Sequence, residues 1–427
     1  MNPNGALPPL GTAEVIAVGS ELLGTSRLDT NSLFIAQKLG ELGIELRAKA
    51  VVGDERLRLH ELFVQALGRA DLVLLTGGLG PTDDDLTREV IAAALSLELV
   101  EDETITARIR ARFERRGMRM PDLNRRQAMV PRGAVALPNA NGTAPGLLIL
   151  AGAKIVVLLP GPPRELQPIL SGLCEESGAL GRRAGSERIH TVSLFTTGRS
   201  ESHVEEATQP LYSRWREASP PIETTILATP GQVEIYLSLR SADGPSARRV
   251  LEDARAQLVE ALGDCVFTTS GRTLPQVVGE RLLERKLTLA AAESCTGGLL
   301  LQRLTDIAGS SAYVRGGIVA YDNRVKETLL DVPPDMIVRH GAVSEPVAAA
   351  MVDGLYARTS ADVCIAITGV AGPGGGTEAK PVGTVVIAVR VPGRPLEVKT
   401  HLFPGGREMV RLQATQSALD RVRRLLG

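Results

Sequence analysis

The sequence predicts an α/β protein in which two large α/β domains flank a smaller α+β domain. Its 427 residues exceed the length at which one hydrophobic core keeps growing, so several domains are expected. Before residue 180 and again after residue 272, short apolar runs alternate with helical patterns, which predicts a parallel, doubly wound sheet between two helical layers. Between these blocks the pattern changes, so a different fold is expected there.

The first domain is assigned to residues 1–180. Apolar runs predict strands at AEVIAVG, GIELRAKAVV, DLVLLTGG and KIVVLL, and helical periodicity predicts helices over Asn31 to Leu42 and from Asp54. KIVVLL continues into PGPPRELQPIL, a proline-rich turn that leads into a helix. The segment ESGALGRRAGSER then has the composition of a linker, which places the boundary near residue 180.

The second domain is assigned to residues 186–270 and the third to residues 272–427. In the second, HTVSLFTT, VEIYLSLRS and CVFTT predict largely antiparallel strands, with helices over about Ser200 to Trp215 and Pro245 to Leu262. The third begins with a helix near Thr273, returns to strand and helix alternation, and ends in an amphipathic helix from Glu408 to Leu426.

Composition excludes several classes of protein. Lys plus Arg number 48 and Asp plus Glu 49, so no overall field attracts nucleic acid or anionic membrane. No run of eighteen apolar residues occurs, and the first residues have neither a basic start nor an apolar stretch, so neither a membrane span nor a signal peptide is expected. Four cysteines without a CxxC pair fit a reducing cytoplasm better than a zinc site or a disulfide framework.

The segment LTLAAAESCTGGLLLQRL carries the first chemical signal. A strand ends where Ser294, Cys295 and Thr296 lie beside the first backbone N–H groups of the next helix, and such groups attract a phosphate or a developing oxyanion. Gly297 and Gly298 allow close approach of a ligand. The alternative is an ordinary helix N-cap followed by glycines that pack tightly.

A serine nucleophile needs a base. His340 and His401, the two histidines of this domain, lie in no triad-like setting, so a lysine with a depressed pKa is the stronger candidate. In GGIVAYDNRVKETLL, Tyr321 and Lys326 follow Ser294 by 27 and 32 residues, at the predicted end of the next parallel strand and on the helix after it. The alternative for Lys326 is a solvated helix face.

A third element is the loop in AITGVAGPGGGTEAKPVGTVVIAV. Its strand ends in Thr368, and six glycines, among them Gly372, lie between Gly369 and Gly383. Exposed backbone N–H groups of such a loop can bind an anion, although glycine-rich loops are also common as plain connectors. Three such elements at strand ends favour a site at the carboxyl edge of the sheet.

Together these motifs carry a family resemblance. AAESCTGG, DIAGSSAYVRGGIVAYDNRVK, HGAVSEPVAAAM and ITGVAGPGGGTEAKPVGTV closely resemble the C-terminal domain of the CinA proteins, the nicotinamide mononucleotide (NMN) deamidases. The resemblance implies hydrolysis of the NMN carboxamide to nicotinate mononucleotide and ammonia, without a cofactor. It further implies Ser294 as nucleophile, with Tyr321 and Lys326 as helpers.

The resemblance also assigns substrate contacts. Thr296, Gly297, Gly298, Thr368, Gly369 and Gly372 are expected at the substrate, with helix-start N–H groups holding the oxyanion. In FPGGREMVRLQA, Arg407 aligns with an arginine used toward the ligand, and a guanidinium suits a phosphate. Arg411 remains a competitor for that role, and Cys295 is the rival nucleophile.

The first domain contains its own group of polar residues. In LLTGGLGPTDDDLTREV, a glycine turn with Gly77 and Gly78 follows a strand, and three aspartates, Asp83 to Asp85, come where a helix begins. Such carboxylates can complement a helix dipole, but a divalent cation shared with substrate phosphates explains them better. Glu21, Asp29 and Asn31 lie on the loop after the first strand.

This domain resembles the molybdopterin-binding-like N-terminal domain of the same family, several members of which are metal-dependent ADP-ribose pyrophosphatases. Within the pattern GGLGPTxDDxT, Thr82 is a site residue, Asp84 and Asp85 are the implied ligands of Mg, Mn or Co, and Asp83 falls on the variable position. Metal-activated water would attack the diphosphate.

The middle domain resembles a KH-like domain. Nucleic-acid binding by such a module needs a GxxG loop, whereas TTGRSES has one glycine, so nucleic acid is not expected as a partner. We expect a spacer and homodimerisation element instead. Two functions therefore compete for the whole chain. One is a bifunctional hydrolase of pyridine-nucleotide salvage, and the other is a non-catalytic scaffold or nucleic-acid-associated protein of competence or DNA repair.

Overall fold

The computed structural model describes residues 9–25 and 27–427. The first eight residues, which belong to the segment without signal-peptide character, lie outside this described part. The chain divides into two compact units, Met1–His190 with Arg240–Ala247, and Thr191–Leu239 with Arg248–Gly427. No helix in the described ranges is both long and apolar enough to cross a membrane.

Strands and helices alternate along most of the chain. The strands are β1 (Thr12–Val18), β2 (Glu45–Val52), β3 (Leu72–Thr76), β4 (Leu99–Glu101), β5 (Met129–Pro131), β6 (Val135–Leu137), β7 (Gly146–Ala151), β8 (Lys154–Leu159), β9 (Arg188–Thr197), β10 (Glu223–Thr229), β11 (Gln232–Ser241), β12 (Val266–Thr268), β13 (Leu289–Glu293), β14 (Val314–Val319), β15 (Val363–Gly369), β16 (Thr384–Arg390) and β17 (Glu397–Leu402). The helices are α1 (Asn31–Glu41), α2 (Arg56–Arg69), α3 (Thr87–Ala94), α4 (Glu103–Glu114), α5 (Pro163–Cys174), α6 (Glu201–Arg216), α7 (Gly244–Leu262), α8 (Leu274–Glu284), α9 (Leu299–Thr305), α10 (Asn323–Leu330), α11 (Pro334–His340), α12 (Glu345–Thr359) and α13 (Arg407–Leu425).

The large sheet of the first unit has the order β2-β1-β3-β8-β7-β6. The first four strands are parallel, as predicted, whereas β7 and β6 run antiparallel to their neighbours. The expectation of a purely parallel sheet was therefore wrong for this edge. A two-residue turn with Gly152 at φ 64° joins β7 to β8, and so short a connection can link only antiparallel strands.

Helices cover both faces of this sheet. Val15 of β1 packs in one core with Ile35 of α1 and Leu166 of α5. The next residue, Ile16, packs in the opposite core with Phe63 of α2 and Ile91 of α3. Because successive side chains of a strand point to opposite faces, this alternation produces the predicted three layers.

The middle sheet has the order β10-β11-β9-β12. β10 pairs antiparallel with β11, and β12 pairs antiparallel with β9, in agreement with the predicted antiparallel character. β10 was not predicted, because most of its residues are at least partly exposed and its apolar pattern is weak. The KH-like identity of this region stays a prediction.

The C-terminal sheet has the order β14-β13-β15-β16-β17. β14, β13 and β15 are parallel, and β16 and β17 follow as antiparallel strands. On β13, the middle one of the three parallel strands, Ala291 packs in one core with Leu419 of α13, while Ala292 packs in the other with Met351 of α12. The carboxyl ends of the three parallel strands therefore meet at one edge of a sheet that is covered on both faces.

Candidate active sites

The Ser294 turn lies between the ends of two neighbouring strands. The Ser294 amide donates a 2.9 Å hydrogen bond to the Ile367 carbonyl near the end of β15. On the other side, the Ala320 amide just after β14 donates a 2.8 Å bond to the carbonyl of Glu293. The predicted meeting of these segments at the carboxyl edge is thus present. Ser294 is largely buried, with 8% of its surface exposed.

Glu293 changes the expected chemistry of the helix that follows. Its carboxylate is fully buried and accepts hydrogen bonds from the amides of Gly298, Leu300 and Leu301, at 2.9 to 3.1 Å. A buried carboxylate requires such donors. The expectation that helix-start N–H groups would hold the oxyanion is therefore wrong for these three amides, because the chain's own carboxylate already occupies them.

Thr296 retains unused donors beside Ser294. Its side chain is completely buried, and within the described chain its hydroxyl has no hydrogen-bond partner. Its amide likewise donates to none of the described residues. Arg411 donates to the Thr296 carbonyl from Nε and Nη2, at 3.2 and 2.7 Å, and these hydrogen bonds stabilise the turn. Gly297 and Gly298 follow with φ of 57° and 93°, a left-handed conformation that favours glycine.

Lys326 is not on a solvated helix face. Its side chain is 1% exposed, and its amine donates to the carbonyls of Ala320 and Tyr321 at 2.8 and 3.2 Å. Burial lowers the pKa of Lys326 from its usual 10.5. Nearby Asp322 and Cys295 raise this pKa, but their effects are smaller than that of burial. A buried amine with a lowered pKa can act as a general base. The predicted base is therefore placed next to the strand ends that flank Ser294.

Cys295 is poorly suited to act as the nucleophile. Its side chain is 5% exposed, and burial raises the pKa of its thiol to about 11. A β-carbon added at Gly369 would lie 3.0 Å from the Cys295 sulfur, so the thiol packs against the neighbouring strand end. Because a protonated thiol is a weak nucleophile, this geometry favours Ser294 over Cys295.

Thr368 and the glycine loop after it form the third predicted element of this candidate site, at the end of β15. The Thr368 hydroxyl is buried and donates a 2.9 Å hydrogen bond to the Ala342 carbonyl, so it joins β15 to the segment before α12. The loop returns to β16, and the Gly383 amide bonds to the Val370 carbonyl at 2.8 Å. Gly372 adopts φ 87° and its carbonyl accepts from Arg407.

The geometry favours Arg407 over Arg411 as the residue that meets the ligand. Arg407 is exposed at the first position of α13 and contacts the Gly372 carbonyl and the Tyr321 hydroxyl, at 2.8 and 2.7 Å. Tyr321 is 57% exposed. The Arg411 guanidinium instead donates a hydrogen bond to the Thr296 carbonyl.

A cavity of about 720 Å³ lies elsewhere in the C-terminal unit, away from the Ser294 turn. His401 lines it and stacks on Phe403 with ring centroids 5.2 Å apart, and burial lowers the pKa of His401. Arg421 pairs there with Glu397, and Arg424 pairs with Asp420. Ser294, Tyr321 and Lys326, the residues predicted for catalysis, do not line this cavity.

The first unit contains a cavity of about 810 Å³ at the carboxyl ends of its parallel strands. Seven of the residues predicted for the N-terminal site line it: Glu21, Asp29, Asn31, Gly77, Gly78, Asp84 and Asp85. The loop that begins at Pro160 and the start of α5 complete its wall. Residues from separate loops thus meet as predicted at one edge of the sheet.

The three aspartates of this loop have different environments. Asp85 accepts from the amides of Gly80 and Thr82, at 2.7 and 2.9 Å, and from the Thr82 hydroxyl. Asp84 lines the cavity, is exposed, and hydrogen bonding to Thr82 lowers its pKa. Asp83 instead pairs with Arg126. Thr82 shapes the loop through Asp85 and is not part of the cavity wall.

The remaining predicted residues are positioned by the backbone. Gly77 adopts φ 93°, and a β-carbon there would lie 2.2 Å from the Val18 carbonyl, so the loop requires glycine at this point. The Asn31 amide nitrogen donates to the Gly161 carbonyl at 2.7 Å, and its Oδ1 is buried without a partner among the described residues. Asp29 accepts from the Ser32 amide at the start of α1.

Some cavity residues were missed in the sequence. Glu165 lines the cavity and accepts from Asn139, whose Oδ1 in turn accepts from the Gly142 amide. Asn139 lies in NANGTAPG and Glu165 in PGPPRE, both visible as loop sequences. A glutamate that follows prolines at a helix start is nonetheless common without any function, so no specific pattern indicated this pair.

Comparison with known proteins matches both large domains. Residues 271–426 match the family model described as the CinA C-terminal domain. Residues 14–177 match the model described as a probable molybdopterin binding domain. A solved structure of a competence-damaged protein (CinA) superfamily protein from Escherichia coli is 34% identical, covering 39% of this chain and 97% of its own, with a TM-score of 0.35.

Full-length relatives are closer in sequence. A CinA-like protein from Koribacter versatilis is 44% identical over 97% of this chain and 99% of its own length. A CinA-like protein from Acidobacterium capsulatum is 42% identical over 97% of this chain and 99% of its own. Identity of this extent includes both large domains and the region between them. The chain belongs to the CinA family.

Proposed function

We propose that the C-terminal domain hydrolyses the carboxamide of NMN, giving nicotinate mononucleotide and ammonia. The observation that carries this proposal is the buried Lys326 amine, whose pKa is lowered by burial. This amine donates to the Ala320 carbonyl, and the Ala320 amide donates to the carbonyl of Glu293, the residue before Ser294. A serine hydroxyl, an amine that can accept its proton and a turn with unused donors form the minimum machinery of a serine amidase.

In the first step the Ser294 oxygen attacks the carboxamide carbon while the neutral Lys326 amine accepts the hydroxyl proton. The tetrahedral intermediate then breaks its C–N bond, and the Lys326 ammonium returns the proton to the departing nitrogen, so that ammonia leaves. An acyl ester on Ser294 remains. Water attacks this ester with Lys326 again as base, which releases the carboxylate product and restores the serine.

The developing oxyanion needs donors other than the first amides of α9. The Thr296 amide and hydroxyl supply them in this proposal, because neither has a hydrogen-bond partner among the described residues and both lie two residues after the nucleophile. Loss of one oxyanion donor typically lowers the rate roughly a hundred- to a thousandfold. Arg411 supports this arrangement by holding the Thr296 carbonyl.

We further propose that the N-terminal domain cleaves the diphosphate of ADP-ribose. Its cavity of about 810 Å³ falls within the range of nucleotide-sized ligand pockets of roughly 300–1,000 Å³. Glycines at strand ends line one part of the wall, and carboxylates line another. The buried Oδ1 of Asn31 offers an acceptor for a ligand hydroxyl or amino group.

A divalent cation fits this cavity when the substrate phosphates share it. Among the described residues no group of three His, Cys, Asp or Glu side chains could hold a metal alone. Mg²⁺ is commonly held by one or two carboxylates together with phosphates. Asp84 would hold the ion, and Asp85 fits less well because both its oxygens already accept hydrogen bonds. The ion would supply an activated water and offset phosphate charge.

The middle region completes the proposal as a KH-like spacer through which two copies of this cytoplasmic chain associate. In the described part, its sheet pairs β10 with β11 and β9 with β12, both antiparallel. Size measurement in solution tests the homodimer, and a monomer at all concentrations would exclude it.

The test of the main activity is ammonia release from NMN by the purified full-length protein. We expect turnover by the wild type and loss of at least a thousandfold in Ser294→Ala and Lys326→Ala, as for other serine hydrolases that lose nucleophile or base. ADP-ribose cleavage in the presence of Mg²⁺, Mn²⁺ or Co²⁺ tests the second activity. Salt-sensitive DNA binding without turnover of either substrate would favour the scaffold alternative instead.

A further inference from the structure

Arg407 differs from the arginines in the C-terminal half of its helix. Arg421, Arg423 and Arg424 of α13 each pair with a carboxylate. Arg407, at the first position of the helix, instead donates from Nη1 to the Gly372 carbonyl and from Nη2 to the Tyr321 hydroxyl, at 2.8 and 2.7 Å. It is exposed, and both partners are uncharged.

This arrangement leaves N–H donors of the Arg407 guanidinium available to bind an anion. A guanidinium has five N–H donors, and two of them are used by the protein. No carboxylate of the described chain forms an ion pair with Arg407, so its charge is not compensated. The two contacts fix the plane of the group, and fixed planar donors bind phosphate with less loss of side-chain entropy.

The Tyr321 hydroxyl is directed toward this guanidinium. A residue that relays a proton must hydrogen-bond to the base it serves. The Lys326 amine, however, donates to the Tyr321 carbonyl, and no hydrogen bond joins that amine to the hydroxyl. The hydroxyl oxygen accepts from Arg407 and still has its own proton to donate. That proton can go to the same anion that Arg407 binds.

We propose that Tyr321 is a positioning residue that acts through Arg407 and sets the preference for a phosphorylated substrate, rather than passing a proton between Lys326 and Ser294. Tyr321 and the Gly372 carbonyl hold the guanidinium where the 5′-phosphate of the nucleotide lies. This inference rests on the proposed deamidase function, because it assigns a role within that site.

The experiment compares NMN with nicotinamide riboside, which has the same carboxamide and no phosphate. In Tyr321→Phe the ratio of kcat/KM for NMN to that for the riboside should fall roughly ten- to a hundredfold, mainly through KM for NMN, as expected when a hydrogen bond to a charged group is lost. Arg407→Ala should reduce the ratio further. Adding Tyr321→Phe to Arg407→Ala should have little additional effect, because the two residues act together.

Tyr356→Phe is the matched control. Tyr356 is 40% exposed in the same domain and its ring, rather than its hydroxyl, contacts the Arg390 guanidinium at 3.7 Å. Its substitution should leave the ratio unchanged. An equal loss of kcat on both substrates in Tyr321→Phe, with a shifted pH profile, would overturn the proposal and support a proton relay.

Failure of the deamidase assignment has a different signature. If the wild type releases ammonia from neither substrate, the proposed function fails, and the anion site is then tested by inorganic phosphate alone. Phosphate should raise the thermal midpoint of the wild type and of Tyr356→Phe by more than that of Tyr321→Phe or Arg407→Ala. Equal shifts in all four proteins would remove the Arg407 site as well.

Discussion

The Lys326 amine donates a 2.8 Å hydrogen bond to the carbonyl of Ala320, at a position where only 1% of the lysine side chain is exposed. This relationship predicts the pH dependence of the amidase. Burial lowers the pKa of the amine below its usual 10.5. We therefore expect kcat/KM for NMN to rise with pH and to level off above an apparent pKa that is lower than 10.5. A profile without a rising limb at any pH at which the protein stays folded would contradict Lys326 as the base.

The same burial predicts the stability of Lys326→Met. A folded-state pKa below the unfolded one means that the folded protein holds this proton less tightly, so the charged amine costs stability at neutral pH, and the cost disappears as pH rises toward 10.5. Methionine removes the buried charge at similar length. We therefore expect no loss in thermal midpoint at neutral pH together with loss of amidase activity, measured on the same preparation.

Glu293→Gln should weaken both the fold and the activity. The carboxylate accepts two amides on Oε2 and one on Oε1, so in either orientation a glutamine NH₂ would face at least one N–H donor. We expect a decrease of about 1–3 kcal/mol in the free energy of unfolding, measured by denaturant titration. The rate should also fall, because the Ser294 turn loses its anchor.

Glu284→Gln is the control for this substitution. Glu284 is exposed near the end of α8 in the same domain, so its change should stay within about 0.5 kcal/mol of the wild type. Equal stability of the two variants would mean that water can replace the Glu293 carboxylate as the acceptor for these three amides.

Cys295→Ala should retain most of the amidase activity. With a thiol pKa of about 11, only about a thousandth of Cys295 is ionised at pH 8. We expect kcat/KM within roughly threefold of the wild type and no inactivation by iodoacetamide at that pH, because the thiolate is the reactive form. Rapid alkylation with loss of activity would restore Cys295 as the nucleophile.

The first domain predicts different effects for adjacent aspartates. Asp85→Asn replaces an acceptor of the Gly80 and Thr82 amides, and should lower the free energy of unfolding by about 1–2 kcal/mol. Asp84→Asn should leave stability unchanged but strongly reduce metal-dependent cleavage of ADP-ribose. Asp83→Asn, whose carboxylate pairs with Arg126, serves as control for both assays. Full cleavage by Asp84→Asn would remove Asp84 as the metal ligand.

The two candidate sites could be predicted from the sequence because both depend on local patterns. A strand, a turn and a helix start are visible at Ser294 and at Gly77, and parallel strands bring such turns to one edge. The burial of Lys326 was not visible, since a lysine on a short amphipathic helix is most often solvated. The helix that carries it, α10, packs through Leu330 in the same core as Met351 of α12.

The role of Glu293 was missed for a related reason. The side chain of the last strand residue can point into either layer, and only the packed position of α9 shows that it meets the first amides of that helix. The antiparallel edges were missed because apolar runs indicate strands but not their direction. Long-range contacts such as Arg411 with the Thr296 carbonyl, 115 residues apart, leave no local pattern.

The glycine loop between β15 and β16 joins antiparallel neighbours, whereas parallel strands must be linked by a crossover that includes a helix. Both ends of this loop are therefore fixed by adjacent backbone ladders, and its interior contains no helix. Lengthening such a connection costs little entropy, about 0.6 kcal/mol for each doubling. Natural variation or engineering could thus remodel this rim to admit bulkier amides while the strands that carry the reacting groups stay in register.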